Sequence, residues 1–379
     1  MQIIQIFSTS KFLRDFLEEQ LLYFRKKNVY WTMACTQDER LLNDAAKSGY
    51  IPLPVDILRK ITPLKDLAAI VRLIKAMRNK HFDIAIAHTP KGGMIGMIAA
   101  RLAGVPKRVY YRHGLLFETA KGLKRKLLIA IEKLTAACAT EVICISPSVL
   151  EQSIRYRLNR PGKNKLIGPR GSFNGINAIK FDRSKQIPEA VSALRERARI
   201  KDPEVIFGFA GRLVNDKGLN ELAAAWQLFI KDGKKARLLV AGSYEQRDAL
   251  PQATRRYLEK EPSVTLLGEL EDMVSYYSLL DVFILPSHRE GLPTVLLEAA
   301  AMELPVITTR ATGCVDAILE NKTGIFTTTA PEEIAAKMDF YYKNHHLRVQ
   351  HGQEGRRFVQ EYFHQEQIWK ETLEQVLTI

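Results

Sequence analysis

The chain has 379 residues, 46% of them hydrophobic, which is typical of a globular protein with two domains. No stretch approaches the ~20 apolar residues of a membrane-spanning helix. The four cysteines form no C-x-x-C pair, so a zinc or disulfide framework is disfavoured and a reducing compartment is expected. The net charge of +14 is uneven, because residues 1–180 have 31 Lys and Arg against 13 Asp and Glu, while the rest has 25 against 29.

The basic first half favours an anionic partner, namely nucleic acid, a membrane surface or a phosphorylated acceptor. An ordinary solvated surface rich in lysine is the simpler alternative.

The first half alternates short apolar runs with helical patterns. The run at residues 3–7 lacks the features of a signal peptide and is interpreted as a buried strand. Further strands are predicted at residues 29–35, 82–87, 108–111 and 141–145. The clearest helix starts at Pro63, and helical spacing predicts that one apolar stripe is its buried face. That stripe consists of Leu64, Leu67, Ala68, Val71, Ile74 and Met77.

A second helix starts with a basic cluster of Lys121, Lys124, Arg125 and Lys126. Its apolar side is predicted to consist of Leu127, Leu128, Ile131 and Leu134. A helix of this kind rests against anionic lipid in some proteins and is an exposed helix face in others. The pattern alone leaves both alternatives open.

The second half repeats the alternation, with strands predicted at residues 205–210, 237–241, 264–267, 282–285 and 306–308 and helices at 217–231 and 293–302. The stretch 160–188 is rich in Gly, Pro, Asn and Lys and is taken as the domain junction. The predicted fold is α/β, with doubly wound parallel-sheet domains at residues 1–180 and 181–362 facing across a ligand-binding cleft. A helix at about 363–379 is placed as a candidate to pack back on the first domain.

The strongest local motif joins the strand at 205–210 to the next helix. It contains Gly211, Arg212, Lys217 and Gly218. Backbone N–H groups at a strand-to-helix turn suit a phosphate, and the two cations neutralise its charge. An ordinary βα turn with exposed basic residues is the alternative.

The second motif follows the strand at 282–285. Glu290 stands in a loop, and Glu298 lies about one and a half turns into a helix that starts near Pro293. Carboxylates accept hydrogen bonds from neighbouring sugar hydroxyls, and the helix start offers N–H donors. A solvated helix residue is the alternative for Glu298.

In this order and at about eighty residues' separation, the two motifs resemble the G-R-x4-K-G and E-x7-E signatures of retaining GT-B glycosyltransferases. The resemblance covers nearly the whole chain. The segments around His88–Gly93 and Arg112–Gly114 look like the bacterial capsule and exopolysaccharide branch, which builds glycans on polyprenyl-phosphate lipids at the cytoplasmic membrane face.

The resemblance implies a role for each matching residue. Arg212 and Lys217 would bind the donor diphosphate close to Gly211, with N–H groups of Thr294 and Val295. Glu298 would hold the ribose, and Glu290 the donor sugar, with the backbone of Gly291 and Leu292. The resemblance also implies that Leu270 lies against the nucleotide base and that His113 contacts the donor sugar near the reacting centre.

One departure concerns the first βα loop, which reads Ser8, Thr9, Ser10, Lys11 where many relatives have a glycine pair. Ser8, Thr9 and Lys11 are therefore acceptor-side candidates. His88 and Lys91 join them because they follow the strand at 82–87, although His88 is equally consistent with a structural role. The late histidines are interpreted as surface residues; they are His345, His346 and His351.

These expectations describe a retaining, metal-independent hexosyltransferase without a cofactor, working by a front-face reaction. Its partners would be a nucleotide sugar, with UDP favoured by the branch, a polyprenyl-diphosphate-linked saccharide, and the anionic inner face of the plasma membrane. The predicted location is cytoplasmic and peripheral. The alternatives are a nucleic-acid-binding protein, a nucleotide-sugar epimerase, a starch or glycogen synthase, and a catalytically silent scaffold.

Overall fold

The structure is a computed structural model that describes residues 1–9, 18–58, 60, 62–201 and 204–378. The chain divides into two compact units, Met1–Gly175 with Glu366–Ile379, and Ile176–Gln365. Each unit contains a parallel β-sheet flanked by helices, so the predicted α/β fold with two Rossmann-like domains is confirmed. Within the described ranges, no helix combines the length and the apolar character that crossing a membrane requires.

The first unit is built on a sheet of short parallel strands. Its central strands are buried on both faces, which explains their continuous apolar sequences. The strands are β1 (Gln2–Ile6), β2 (Tyr30–Cys35), β3 (Ile51–Pro54), β4 (Ile84–Ala87), β5 (Lys107–Arg112), β6 (Glu141–Cys144) and β7 (Asn164–Lys165). Their order is β3-β2-β1-β4-β5-β6-β7. The order reverses beside β1, which is where doubly wound sheets bind ligands.

Helices connect these strands. They are α1 (Glu18–Arg25), α2 (Glu39–Ser48), α3 (Pro63–Lys80), α4 (Pro90–Ala103), α5 (Gly122–Cys138) and α6 (Pro147–Arg155). Helix α4 packs against both α3 and α5. The C-terminal helix Gln365–Gln375 contributes to this unit from Glu366 onward, where the indole N–H of Trp369 donates to Asn174 Oδ1 at 2.7 Å.

The buried face of helix α3 overlaps the predicted stripe only near the C-terminal end of the helix, at Met77. Leu64, Leu67 and Val71 are 85%, 59% and 43% exposed. The buried side chains are Asp66, Ala69, Leu73 and Met77. Both arcs of the helix contain apolar residues, so periodicity alone did not identify the buried one.

Helix α5 leaves much of its predicted apolar side uncovered, which is compatible with both alternatives that the sequence left open. Leu127 and Leu134 are exposed, while Glu132 and Ala136 are buried. Glu132 is buried because Arg112 of β5 pairs with it, a contact that no local pattern reveals.

The second unit has a six-stranded parallel sheet. Its strands are β8 (Val205–Ala210), β9 (Ala236–Ala241), β10 (Val264–Gly268), β11 (Val282–Leu285), β12 (Val306–Thr309) and β13 (Gly324–Thr327), and their order is β10-β9-β8-β11-β12-β13. The reversal beside β8 brings the loops that follow β8 and β11 next to each other, because these two strands are hydrogen-bonded neighbours. The motif with Lys217 lies on the loop after β8, and the motif with Glu290 lies on the loop after β11.

The helices of this unit begin with α7 (Pro188–Arg197), which precedes the sheet. The others are α8 (Leu219–Ile230), α9 (Gln252–Lys260), α10 (Met273–Ser278), α11 (Thr294–Ala301), α12 (Pro331–Lys343) and α13 (His345–Tyr362). The interpretation of His351 as a surface residue was wrong. It is buried on α13, where its Nδ1 lies 2.8 Å from the hydroxyl of Tyr341. His345 and His346 are exposed, as predicted.

Candidate functional site

The loop after β8 is shaped by glycines. Gly218 has φ +70°, and a Cβ there would lie 1.9 Å from the carbonyl oxygen of Pro286. Only glycine fits this close approach in a left-handed conformation. The same residue separates a short 3₁₀ turn, Asn215–Lys217, from α8. The helix predicted at 217–231 therefore begins at Leu219, and Lys217 lies on the turn before it.

Lys217 and Glu290 form an ion pair between Nζ and Oε1. Their side chains are only 17% and 10% exposed, although the two residues are 73 positions apart. The structure thus brings the lysine of the first motif onto the first glutamate of the second. Because the pair is largely shielded from water, its electrostatic interaction is stronger than that of a surface pair.

Arg212 follows β8 directly and is more open. Its guanidinium Nη1 lies 3.0 Å from Glu245 Oε2, and the arginine side chain is 47% exposed. A surface pair of this kind stabilises the protein little. Exchanging this carboxylate for a phosphate therefore costs the protein little stability. The phosphate oxygens match the planar N–H donors of the guanidinium.

Hydrogen bonds join the two motif loops at several points. The backbone N–H of His288 and the hydroxyl of Ser287 both donate to the carbonyl oxygen of Asp216, each at 2.9 Å. Arg289 Nη2 contacts the carboxylate of Asp216 at 2.6 Å. Asp216 and Arg289, which hold Lys217 and Glu290 side by side, were not among the residues predicted from the sequence. Their position in the sequence could have identified them, because Asp216 directly precedes Lys217 and Arg289 directly precedes Glu290.

Glu298 lies on α11, in the second turn as predicted. Its Oε2 accepts a 2.9 Å hydrogen bond from the hydroxyl of Tyr277, a fully buried residue of α10. Burial and the nearby Glu298 raise the pKa of Tyr277 well above its ordinary value, so the phenol stays protonated and remains a donor. Sequence reasoning missed Tyr277, which orients the carboxylate.

Helix α11 begins at Thr294, immediately after Pro293. The preceding residues Gly291 and Leu292 are buried, and Thr294 and Val295 are partly exposed. Gly313 has φ +79°, and a Cβ there would meet the carbonyl oxygen of Gly291 at 2.3 Å. The loop before α11 is thus packed tightly against the loop after β12.

Two further features complete the surroundings of Glu290 and the sheet edge. Burial, with Glu290 adding to it, raises the pKa of the Cys314 thiol to about 12, so this neighbouring sulfur is a neutral thiol rather than a nucleophile. Leu270 is partly exposed and follows β10, two strands from β8 at the same edge of the sheet. Within the described part of the chain, no group of three or more His, Cys, Asp or Glu side chains has the arrangement of a metal site.

In the first unit, His88 and His113 follow the neighbouring strands β4 and β5. Nδ1 of His88 and Nε2 of His113 are 2.9 Å apart. The His88 ring is fully buried and stacks on Phe7, with ring centroids 4.7 Å apart and planes 7° apart. Burial lowers the pKa of His88 well below 6.5 and that of His113 to about 3, so both imidazoles are neutral.

The remaining first-unit candidates have different surroundings. Ser8 is buried and Thr9 is partly exposed after β1. Lys91 Nζ forms a 2.8 Å ion pair with Asp66 and contacts Thr62 Oγ1 at 3.3 Å, so this lysine joins α4 to the start of α3. Lys11 lies outside the described residues.

The neutral histidines predict a pH-dependent stability. Between pH 6.5 and about 3 the unfolded chain binds protons that these folded imidazoles do not, so stability is complete above pH 6.5 and falls as the pH decreases. The loss approaches about 1.4 kcal/mol per pH unit for each histidine. Urea unfolding at pH 7.5, 6 and 5 measures it. The free energy of unfolding of His88→Asn should fall less steeply than that of the wild type and of the exposed control His346→Asn; equal slopes would contradict the assignment.

Comparisons with known proteins identify the family and the relatives of this chain. Residues 204–344 match the family described as "Glycosyl transferases group 1", and residues 16–168 match "Glycosyltransferase Family 4". The capsular polysaccharide biosynthesis glycosyltransferase CapM of Staphylococcus aureus is 31% identical over 372 residues, which cover 98% of this chain and 95% of that protein. An Escherichia coli UDP-Gal:alpha-D-GlcNAc-diphosphoundecaprenol alpha-1,3-galactosyltransferase is 29% identical, covering 72% of this chain and 68% of the relative.

Solved structures are similar over the whole chain. Anabaena Alr3699/HepE in complex with UDP and glucose has a TM-score of 0.82 at 17% identity, with full coverage of both chains. At that identity the likeness concerns the fold, which is the two-domain GT-B architecture. The chain belongs to the group 1 glycosyltransferases, with a family 4 N-terminal domain. The predicted family and the predicted enzyme class are confirmed.

Proposed function

We propose that this glycosyltransferase moves a hexose or N-acetylhexosamine from a UDP-sugar, with retention of anomeric configuration, to a lipid-linked or saccharide acceptor in surface polysaccharide biosynthesis. The observation that carries the proposal is the shielded pair of Lys217 and Glu290. It joins a phosphate-binding cation to a hydroxyl-binding carboxylate on adjacent loops, and a nucleotide sugar offers a diphosphate and sugar hydroxyls at that spacing.

The donor diphosphate would lie among Lys217, Arg212 and the N-terminus of α11. Positive charge and backbone donors there stabilise the negative charge that develops on the leaving phosphate. The N–H groups of Thr294 and Val295 are the donors at the helix start. Two cations and a helix terminus supply this stabilisation without a metal ion, so we propose that the reaction is metal-independent.

The two carboxylates of the second motif would bind hydroxyl groups of the donor. Glu298, oriented by Tyr277, would accept hydrogen bonds from the ribose, and Glu290 from the donor sugar. Cys314, the thiol beside Glu290, is neutral. In this arrangement Glu290 and Glu298 both bind hydroxyls and neither is assigned to the anomeric carbon. We therefore favour a front-face reaction, in which the departing phosphate takes the proton of the acceptor hydroxyl, over a covalent glycosyl-enzyme.

The proposed acceptor is a saccharide on polyprenyl diphosphate. Its support is the E. coli relative, a galactosyltransferase whose acceptor is a diphosphoundecaprenol-linked sugar. Among the acceptor-side candidates, Ser8 and Thr9 follow β1 at the topological reversal of the sheet. Lys91 is held by Asp66, so its proposed contribution is to keep α3 and α4 together beside that edge.

The proposed membrane contact is the exposed face of α3 and α5, two helices that flank α4. Residues 63–138 have 15 Lys and Arg against four Asp and Glu, and two of those four acids, Asp66 and Glu132, are neutralised by Lys91 and Arg112. Large apolar side chains are exposed between the cations on both helices: Leu64, Leu67, Val71, Leu123, Leu127 and Leu134. Exposed leucines flanked by lysines match an anionic lipid surface better than a nucleic acid, which offers no apolar layer.

Vesicle binding tests this contact. We expect that Leu64→Ser with Leu123→Ser weakens binding to vesicles of phosphatidylglycerol and phosphatidylcholine by about tenfold or more, because each leucine loses its apolar burial. The matched control is Leu228→Ser, an exposed leucine of α8 in the other unit. Co-sedimentation measures the affinity. Equal binding by all three proteins, or a preference for random duplex DNA, would contradict the membrane contact.

The activity itself is tested by incubating the protein with UDP- and GDP-sugars and polyprenyl-diphosphate sugars and analysing the products by mass spectrometry. We expect one sugar to be added from a UDP donor in the presence of EDTA, and UDP to raise the melting temperature. Absence of both transfer and stabilisation across the panel would exclude the proposed donor class.

A further inference from the structure

A cavity of about 490 Å³ lies in the second unit, beside the carboxyl ends of β11, β12 and β13. Its volume is within the range of about 300–1,000 Å³ that is usual for small-molecule sites. Neither Lys217 nor Glu290 lines it. Strand β11 lies between β8 and β12, so the loop after β11 has the proposed donor site on its β8 side and the cavity on its β12 side. The cavity is therefore separate from the residues assigned to the donor.

Hydroxyl groups form much of the cavity wall. Five lining residues are serine or threonine, namely Ser287, Thr309, Thr327, Thr328 and Thr329. The hydroxyls of Ser287, Thr309 and Thr327 donate to backbone carbonyl oxygens at 2.9, 2.5 and 3.0 Å. Thr328 donates to Glu333 Oε2 at 2.5 Å. A hydroxyl that donates its proton keeps lone pairs that accept, so the wall offers several acceptors held in fixed positions.

The charged side chains of the wall balance one another. The cations are Arg310 and Lys337, and the acids are Glu320 and Glu333. Arg310 Nη2 lies 2.6 Å from Glu320 Oε1, and the guanidinium carbon lies 4.4 Å from the centroid of the Phe326 ring. A guanidinium held by a carboxylate and an aromatic face presents its other N–H donors in a fixed plane.

Lys337 supplies donors that the protein does not use. It lies on α12, one turn after Glu333, and is partly buried. Among the residues whose structure is described, none hydrogen-bonds or forms an ion pair with its ammonium. The remaining titratable group of the wall, His288, has its Nε2 3.0 Å from the carboxylate of Glu221 on α8, so a proton on this imidazole is balanced by that acid.

We propose that this cavity binds an uncharged saccharide. A sugar hydroxyl both donates and accepts, so it matches a wall that combines fixed acceptors with ammonium and guanidinium donors. The two carboxylates oppose a phosphate or an acidic sugar, and the two cations oppose a metal ion. A lipid chain does not fit, because it would leave these polar groups without water or partners.

The site goes beyond the proposed transfer reaction and does not depend on a bound nucleotide. Its proposed role is to hold a neutral segment of the glycan on the second unit between transfers. This role rests on the proposed function, whereas the binding of a saccharide does not.

Saturation-transfer-difference NMR of the full chain tests the site with maltose, lactose and N,N′-diacetylchitobiose as probes and saturating UDP in every sample. We expect a signal from at least one of these disaccharides. It should persist in Glu290→Ala, which removes the proposed contact to the donor sugar, and disappear in Thr329→Trp. Thr329 is partly exposed in the loop before α12, so a tryptophan there fills the cavity. The matched control is Lys235→Trp, at an exposed residue before β9 on the opposite edge of the sheet, and it should bind like the wild type.

Several results would overturn the proposal. They are a lack of signal from all three disaccharides, a stronger signal from glucuronate, displacement of the disaccharide by inorganic phosphate, and loss of the signal in Glu290→Ala. The last of these would place the bound sugar at the proposed donor site instead.

A second variant keeps the test decisive if Thr329→Trp does not fold. Lys337→Ala should raise the Kd of the bound disaccharide by about tenfold, because one hydrogen bond from a charged donor is lost. Lys235→Ala, which removes an exposed lysine from the same unit, should leave the Kd unchanged. Equal affinities of Lys337→Ala and the wild type would contradict the assignment.

The two proposals fail in distinguishable ways. If the wild-type protein transfers no sugar from the donor panel but binds a neutral disaccharide that Thr329→Trp excludes, the proposed function fails and the cavity site stands. If transfer is observed but no neutral disaccharide binds, the cavity site fails and the transferase activity stands.

Discussion

Lys217→Ala should lower kcat by about 10²–10³-fold, the loss that follows removal of one group stabilising transition-state charge. Lys217 is on the turn before α8, where Gly218 forces the chain close to Pro286, so its ammonium is held in place beside Glu290. Replacement by alanine removes the cation from the proposed leaving phosphate and leaves the Glu290 carboxylate near the same position. Both effects raise the barrier to departure of the diphosphate.

The matched control is Lys322→Ala, which removes an exposed lysine from the same unit. It should retain wild-type kcat. Turnover is measured with saturating donor and acceptor, and UDP binding is measured separately by calorimetry. Arg212→Ala should reduce kcat in the same range. A Lys217→Ala enzyme with undiminished kcat would remove the basis for the proposed diphosphate site.

Arg112→Ala should reduce the free energy of unfolding by about 3–5 kcal/mol, as expected when one partner of a buried ion pair is removed. The Arg112 guanidinium is fully buried, and its Nε contacts Glu132 Oε2 at 3.0 Å. Its Nη1 also donates to Ser153 at 2.6 Å and to Asn159 at 3.1 Å. Without the arginine, a buried carboxylate loses its charge partner inside the first unit.

A compensating variant tests whether the unpaired carboxylate causes the loss. Glu132 also accepts a 3.0 Å hydrogen bond from the hydroxyl of Tyr110, so the apolar replacement requires all three residues. Arg112→Met with Glu132→Leu and Tyr110→Phe should recover most of the stability lost by Arg112→Ala, because no buried polar group of the trio remains. Urea unfolding monitored by circular dichroism compares the variants. A loss below about 1 kcal/mol for Arg112→Ala would mean that the pair is not formed in solution.

The two motifs illustrate how far sequence reasoning reaches. The spacing of Gly211, Arg212, Lys217 and Gly218 after a strand predicted the turn, and the two glutamates predicted the second loop. Their contact depends on β8 and β11 being neighbours, which the chain order does not reveal because β9 and β10 lie between them. Asp216, Arg289 and Tyr277 escaped notice for the same reason: each acts on a residue that is distant in sequence.

The helices illustrate the opposite case. For α3, periodicity correctly predicted a helix from Pro63 but predicted its buried face only in part, since Met77 is buried whereas Leu64 is exposed. Leucines on two arcs satisfy the same period, and the choice between them came from contact with α4. His351 was misassigned in the same manner, because a polar local sequence does not reveal that Tyr341 covers it.

The amino-acid sequence by itself determined the alternation of strands and helices, the two-domain α/β class, the uneven charge and the chemistry of the two motif loops. These follow from local periodicity, turn residues and side-chain type, which act over a few neighbouring positions. Only the tertiary structure decided that Lys217 meets Glu290, that His88 meets His113, that Arg112 is buried on Glu132 and that leucines of α3 and α5 remain exposed. These contacts depend on the order of strands in the sheet and on which helices pack together, so they arise only when distant segments meet.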